Sequence, residues 1–291
     1  MPMDQRPLIR PARNCDAGAL ADLFSKYYRQ RKPAAYFEWQ FFSPAVPAVC
    51  MVAEKDGSLI GTCGCVQRPV TDGSSAGHIV DMLVEEDFRG QGIFPLLLTA
   101  AMATFPEVAV YVVLPNAHGL QAIMRQPKWS NKGAVPQYQY DPDGANHSGA
   151  LNQITSPRCG LAYDDVMRTW RFEQHPTNLY HFIEQNGLRG WVKVFAEPDD
   201  SSRKYGDIVY IESASHDRLV DWMEAAIHWF ATQGIDDPAL WAMDTGAIAH
   251  AARMVGFRRR EQARWLCIAP GQDTTAADRF WDVCSADAEF Y

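Results

Sequence analysis

Residues 83–98 read LVEEDFRGQGIFPLLL, an apolar strand that runs through Arg89, Gly90, Gln91 and Gly92 straight into an apolar helix opening with Ile93 and Phe94. Two glycines let the backbone curl so that several N–H groups point into one concavity, and the start of the helix adds its positive end. A pyrophosphate is the ligand that suits such a nest. The chain carries 27 Lys and Arg against 35 Asp and Glu, a formal net charge of −8 with His neutral. That balance argues against a general nucleic-acid binder, and it requires a polyanion to be held by a local backbone site rather than by the field of the whole protein. A plain tight turn is the competing reading of RGxG. The apolar strand before it and the apolar helix after it favour the binding reading.

The elements that must position this loop occur twice. WQFFSP starts at Trp39 and WRFEQHP at Trp170, 131 residues apart. Each is followed by a hairpin pattern, with Asp56-Gly57 and Asn186-Gly187 at the turns. Gly61 and Gly190, then Gly77 and Gly206, follow at an offset of 129, and Trp129 and Phe257 at 128. Amphipathic helical stretches and a further apolar strand lie between these landmarks. The pattern predicts a duplicated, mixed α/β (α+β) protein of two tandem units, each a mixed twisted sheet flanked by helices. The units are expected at residues 1–140 and 158–270, joined by a Gly-, Pro-, Asn- and Ser-rich linker at 141–157 and followed by an acidic, aromatic tail at 271–291. With 291 residues and 47% hydrophobic content the chain can bury one large core or two ordinary ones. No apolar run approaches the roughly 18–20 residues of a membrane span, and no secretory signal is expected at the N-terminus. The seven cysteines, at 15, 50, 63, 65, 159, 267 and 284, form no CxxC pair and read as reduced thiols of a cytoplasmic protein, with no metal site.

VEEDFRGQGIF resembles the cofactor motif of GNAT-type acyl-CoA N-acyltransferases, in which Arg or Gln is followed after two residues by Gly and, one residue later, by Gly or Ala. Arg89 and Gly92 match the first two anchors, and Phe94 departs from the small third residue. The following VYVVLPNAHGLQAIMRQPKW is similar to the family's next strand and helix, with Asn116 and Trp129 at matching places. The resemblance implies acetyl-CoA or another acyl-CoA as co-substrate, held by Leu83, Val84, Arg89, Gly90, Gln91, Gly92, Ile93, Phe94 and Asn116. It covers residues 7–140. The second half keeps the layout but has SASHDRLVDW where the loop would be, so one cofactor site is expected and the second unit is degenerate. Among tandem chains of this kind the sequence is similar to amino-sugar N-acyltransferases of surface-polysaccharide pathways, through the GIF end of the loop, LPN on the strand and the WRFEQHP opening.

The reaction implied is attack of a primary amine on a thioester, the amine belonging to a sugar that can be nucleotide-linked. In the family a splayed strand offers backbone N–H to the acyl carbonyl, which carries over to Leu83 or Val84. The family's usual acid is a Tyr about seven residues past the Asn, and Ile123 stands there instead, which leaves solvent, His118 or Tyr111 as proton donors. Asp81 is the best-placed base and His118 the second catalytic candidate. Each has a plain alternative, Asp81 as a solvent-facing or capping residue and His118 as a bystander at a helix start. Cys63 and Cys65 share a strand face without further ligands, and Arg258, Arg259 and Arg260 read as a solvated strand edge. The expected partner is a small-molecule amine, with no nucleic acid and no membrane; a homodimer is allowed. Rival functions are a detoxifying N-acetyltransferase of a drug or polyamine and a non-catalytic acyl-CoA binder. A tRNA-dependent aminoacyl transferase of the Fem type does not rely on the Arg-x-x-Gly-x-Gly loop.

Overall fold

The computed structural model describes residues 6–28, 32–144, 158–197, 200–212 and 215–288. The first half contributes β1 (Leu8–Pro11), α1 (Ala17–Ser25), α2 (Ala34–Phe37), β2 (Ala48–Lys55), β3 (Ser58–Pro69), β4 (Ser75–Val84), α3 (Ile93–Ala103), β5 (Val110–Val113), α4 (Ala117–Met124) and β6 (Ser130–Tyr140). The second contributes β7 (Arg158–Cys159), α5 (Asp165–Arg168), β8 (Tyr180–Gln185), β9 (Leu188–Glu197), β10 (Asp200–Ile211), α6 (His216–Thr232), β11 (Ala239–Trp241), α7 (Ala247–Met254), β12 (Phe257–Pro270) and β13 (Phe280–Trp281). From α2 and from α5 onward the two halves run through the same order of elements. Both short helices continue into a π-helical turn, at Glu38–Phe42 and Thr169–Glu173. The first hairpin of each half turns on two residues of positive φ, Asp56 and Gly57 at 51° and 77°, Asn186 and Gly187 at 52° and 71°, the backbone that a tight two-residue hairpin demands.

The halves do not build separate sheets. One sheet of eleven strands runs β1-β2-β3-β4-β5-β12-β6-β11-β10-β9-β8. Beside β5 lies β12 of the second half, and beside β11 lies β6 of the first, so each half lends its last strand to the other. This corrects the expectation of one sheet per unit. The physical reason is edge closure: β5 and β11 would otherwise end their half-sheets with open N–H and C=O groups, and the exchanged strands cover both. The sequence reading has no strand at β6 and has only the edge Arg258–Arg260 of β12, because charged and polar stretches such as RRREQ lack the apolar alternation of a half-buried strand.

Helices cover both faces. Leu97 and Leu98 of α3 and Ile123 of α4 pack with Cys63, Cys65 and Ile79 on one side of the first half. On the other side α1 and α2 pack against Val52, Val66 and Val80. The rings of Trp39 and Trp170, equivalent residues of the two halves, stack on each other at 4.4 Å between centroids and an interplanar angle of 19°. Most of the linker reading, 145–157, lies outside the described residues. The tail returns to the body: Phe280–Trp281 pairs with Arg158–Cys159, and Trp281 is 2% exposed. Among the described residues no helix is long and apolar enough to cross a membrane.

Two equivalent glycines show how tightly the halves are packed. A Cβ on Gly77 would lie 2.6 Å from the ring of Tyr111, and one on Gly206 would lie 2.4 Å from the ring of Phe230. Gly206→Ala is expected to lower stability by about 1–3 kcal/mol through overpacking. Because β6 and β12 tie the halves together, urea unfolding followed by tryptophan fluorescence and by far-UV circular dichroism should show one coincident transition that moves as a whole. Two separated transitions would contradict the exchange.

Candidate functional site

Strands β4 and β5 run parallel and pair only from Ala76 opposite Val110 to Ile79 opposite Val113. Beyond Ile79 they part. Between the pairs Gly64–Val80 and Thr62–Leu83, β4 holds one residue more than β3, a bulge that contains Asp81 and Met82. Asp81 takes φ 49°, left-handed for a residue other than glycine. The Glu85 N–H donates to the Ile60 carbonyl at 2.8 Å. By the alternation of an antiparallel ladder, Leu83 then faces β3 and the Val84 amide faces the open wedge. Of the two amides, that of Val84 is therefore the one turned away from β3, toward the wedge.

The wedge opens into a cavity of about 1010 Å³ whose wall includes β4, the 89–95 loop, the end of β5 and α4. Gly90 and Gly92 have φ 78° and 77°, and a Cβ on either would meet nothing within 4 Å. Their side of the loop is open. Gly92 is the N-cap of α3 and makes no side-chain cap, so the Ile93 and Phe94 amides have no intrahelical acceptor, and Pro95 has no N–H. Arg89 braces this loop: its Nε donates to the Val84 carbonyl at 3.0 Å and its guanidinium lies 5.3 Å from the Tyr27 ring. The Tyr27 hydroxyl accepts the Glu86 N–H at 2.8 Å, and the Gln91 side chain donates to the Asp87 carbonyl at 3.1 Å. Asn116 caps α4 by accepting the Gly119 N–H at 2.8 Å, and exposed His118 follows on the same wall.

The Asp81 carboxylate is 2% exposed. It pairs with the Lys32 ammonium and accepts from the Tyr36 hydroxyl at 3.2 Å and the Gln40 amide at 3.0 Å. Asp81 is therefore neither solvent-facing nor a cap. Lys32, Tyr36 and Gln40 were missed by the sequence reading, although their spacing of four is the signature of one helical face. From the second half come Arg264 of β12 and Asp287 of the tail, both on the cavity wall; no local pattern marks them, since the strand exchange and the docked tail bring them there. Asp287 accepts from the Tyr163 hydroxyl at 2.8 Å and the Cys284 N–H at 2.9 Å, and burial holds its carboxyl above the usual carboxylate range.

One proton-donor reading, Tyr111, is corrected. The Tyr111 hydroxyl donates to the Met102 and Phe105 carbonyls at 2.7 and 2.8 Å, and burial pushes it up to about 12. It is a structural strut off the cavity wall. Ile123 is fully buried in the core. All seven cysteines are free, and burial pushes the Cys50 thiol up to about 12 and raises those of Cys63 and Cys65, so none of these three is a ready thiolate nucleophile. Among the described residues no group of His, Cys, Asp and Glu could hold a metal ion.

In the second half the same wedge is filled. β10 and β11 pair only at Asp207–Ala239 and Ile208–Leu240, and the Ser285 hydroxyl bridges them, accepting the Trp241 N–H at 2.9 Å and donating to the Ile208 carbonyl at 2.8 Å. Helix α6 starts after Ser215, without a glycine loop.

Residues 18–122 match the profile of the Acetyltransferase (GNAT) family. Among solved structures, an acetyltransferase candidate of Pyrococcus horikoshii is 11% identical, with 95% of this chain and 93% of that one covered at a TM-score of 0.61. The glucosamine N-acetyltransferase region of a fungal multi-domain beta-N-acetylglucosaminidase is 12% identical, with 91% and 38% covered at 0.58. Saccharomyces cerevisiae N-myristoyltransferase, solved with myristoyl-CoA bound, is 8% identical, with 93% and 80% covered at 0.60. These likenesses establish the fold. No curated protein matches the chain.

The two loop glycines have a cost that is measurable without any ligand. Gly90→Ala and Gly92→Ala each force an L side chain into left-handed backbone and should each lower stability by about 1–2 kcal/mol in urea denaturation. An unchanged midpoint in both would mean that the loop does not hold this conformation.

Proposed function

We propose that the protein is an acyl-CoA-dependent N-acyltransferase that moves an acyl group to a primary amine. One observation carries the reading: the open glycine loop at the start of α3 and the unpaired edge of β4 face the same cavity. The loop amides of 90–94 and the N-terminal end of α3 suit a pyrophosphate, and the Val84 amide suits a carbonyl oxygen that gains negative charge. Bound there, acyl-CoA supplies an activated thioester carbonyl. Asp81 holds the acceptor's ammonium and takes its proton as the amine attacks. Arg89 keeps the loop in shape, and His118 borders the acceptor. No protein acid stands where the family places its Tyr, so the departing thiolate is protonated from solvent.

For the acceptor we propose an amine on a sugar, which can be nucleotide-linked. Support comes from the hydrogen-bonding side chains Asn116, His118, Gln121 and Gln126 along the wall, which suit a polyhydroxylated molecule. A detoxifying N-acetyltransferase shares the whole cofactor side and differs only in which amine turns over. A non-catalytic binder would turn over none.

Calorimetry should show CoA and acetyl-CoA binding, and Gly92→Asp should weaken it at least a hundredfold by placing a carboxylate where phosphate must approach, about 3 kcal/mol. A folded protein that binds neither at millimolar concentration would refute the reading. In a free-thiol assay over a panel of amines, Asp81→Asn should lower turnover by about 10² to 10⁴ at neutral pH, with part of the loss recovered at higher pH and CoA affinity kept. His118→Ala should cost less. Full activity in Asp81→Asn would leave catalysis to proximity and backbone donors.

A further inference from the structure

We propose that Lys32 is itself an acyl acceptor, so that the protein acylates its own chain at the acceptor end of the cavity; this rests on the N-acyltransferase reading above. A primary ammonium already sits in the seat that the reading assigns to the substrate amine. The Lys32 Nζ contacts the Asp81 carboxylate, donates to the Tyr36 hydroxyl at 3.0 Å, and lies 4.3 Å from the Tyr36 ring centroid and 5.4 Å from that of Phe24. A carboxylate and two aromatic faces form a site that selects an alkylammonium. The Lys32 side chain is only 15% exposed, so this is not a lysine waving in solvent.

Its position relative to the loop matters as much. Lys32 and Asp81 line the same cavity as Val84 and Gly92. Asp81 stands three residues before Val84 on β4, no more than about 10 Å along the strand, so the amine on Asp81 and a carbonyl held at the Val84 amide share one end of the cavity. Among the described residues Lys32 is the lysine on this wall.

The step balances. Asp81 takes one proton from the Lys32 ammonium, and the freed amine attacks the acyl carbon. The nitrogen gives its second proton to solvent as the amide forms and the carbon–sulfur bond breaks, and the thiolate takes up a proton from solvent, with a net release of one proton. The products are Nε-acyl-lysine and CoA, and nothing is oxidised or reduced. Acylation removes the positive charge that pairs with Asp81, so the carboxylate becomes available to a free amine.

The test is to incubate the full-length protein with acetyl-CoA and follow intact mass and peptide mapping. One acetyl group per chain is expected on Lys32, at a rate that saturates with acetyl-CoA and is slowed by the competitor desulfo-CoA. Lys32→Arg should abolish the modification, Gly92→Asp should remove it along with cofactor binding, and Asp81→Asn should slow it at least tenfold. An unmodified Lys32 in protein that binds acetyl-CoA by calorimetry overturns the inference and leaves the N-acyltransferase reading standing. Modification that is linear in acetyl-CoA and indifferent to desulfo-CoA is chemical acylation and overturns it as well. If acetyl-CoA does not bind, both readings fall together.

Discussion

Parallel strands that stop pairing leave backbone donors and acceptors with nowhere to go, and a protein has to satisfy them or use them. In this chain β4 and β5 part after Ile79 and Val113, and the equivalent β10 and β11 part after Ile208 and Leu240. The two breaks have different outcomes. In the second half the Ser285 hydroxyl bridges the strands, and the wedge becomes structure. In the first half the wedge stays open, a β-bulge turns Asp81 toward α2, and the glycine loop places helix-terminal amides at the mouth. Under the N-acyltransferase reading, one cofactor site rather than two follows from which wedge is filled.

Exchange of the last strands couples the two wedges mechanically. With β12 beside β5, the wall of the first wedge is built partly from the second half, and Arg264 enters the cavity by that route. The tail does two things at once: Ser285 closes the second wedge, while Asp287 two residues later reaches the first cavity and is anchored by Tyr163. A change in the tail therefore acts on both wedges. The stacked Trp39 and Trp170 join the two halves on the α1–α2 side of the sheet, so the seat of Asp81, made by the helix that carries Tyr36 and Gln40, is held from the second half too.

What the sequence made legible was local. Gly90 and Gly92, at φ 78° and 77°, and the turn pairs Asp56-Gly57 and Asn186-Gly187 are positions where backbone conformation selects residue type, and such positions can be read from a single chain. The repeat of elements was legible for the same reason, because Gly77 and Gly206 each lie under an aromatic ring that forbids a side chain. What could not be read depends on pairing across more than a hundred residues. Ser130 opposite Ile268, or Trp241 opposite Gln137, is a choice of partner rather than of local conformation. The exchange of β6 and β12, and with it the place of Arg264, left no mark in the local pattern. Lys32, Tyr36 and Gln40 lie between the two cases: their spacing was visible, but its meaning depended on Asp81 being turned toward them by the bulge.

The missing acid bears on how such a site works. Ile123, fully buried in the α3–α4 core, stands where the resemblance to the GNAT family would place a hydroxyl, and the Tyr111 hydroxyl is spent on the Met102 and Phe105 carbonyls. Neither can move to a leaving group without breaking the packing that positions the wedge. Under the N-acyltransferase reading, proton transfer is therefore confined to the nucleophile's side, where Asp81 is held by three donors. A thiolate is a stable enough leaving group at neutral pH to need no acid, whereas an ammonium cannot attack until it loses a proton. Under that reading the buried charge stands where the chemistry needs help, and packing fills the place where it does not. The same logic makes the Lys32–Asp81 contact informative, because an amine is activated by the carboxylate that holds it, whether that amine arrives from solution or belongs to the chain.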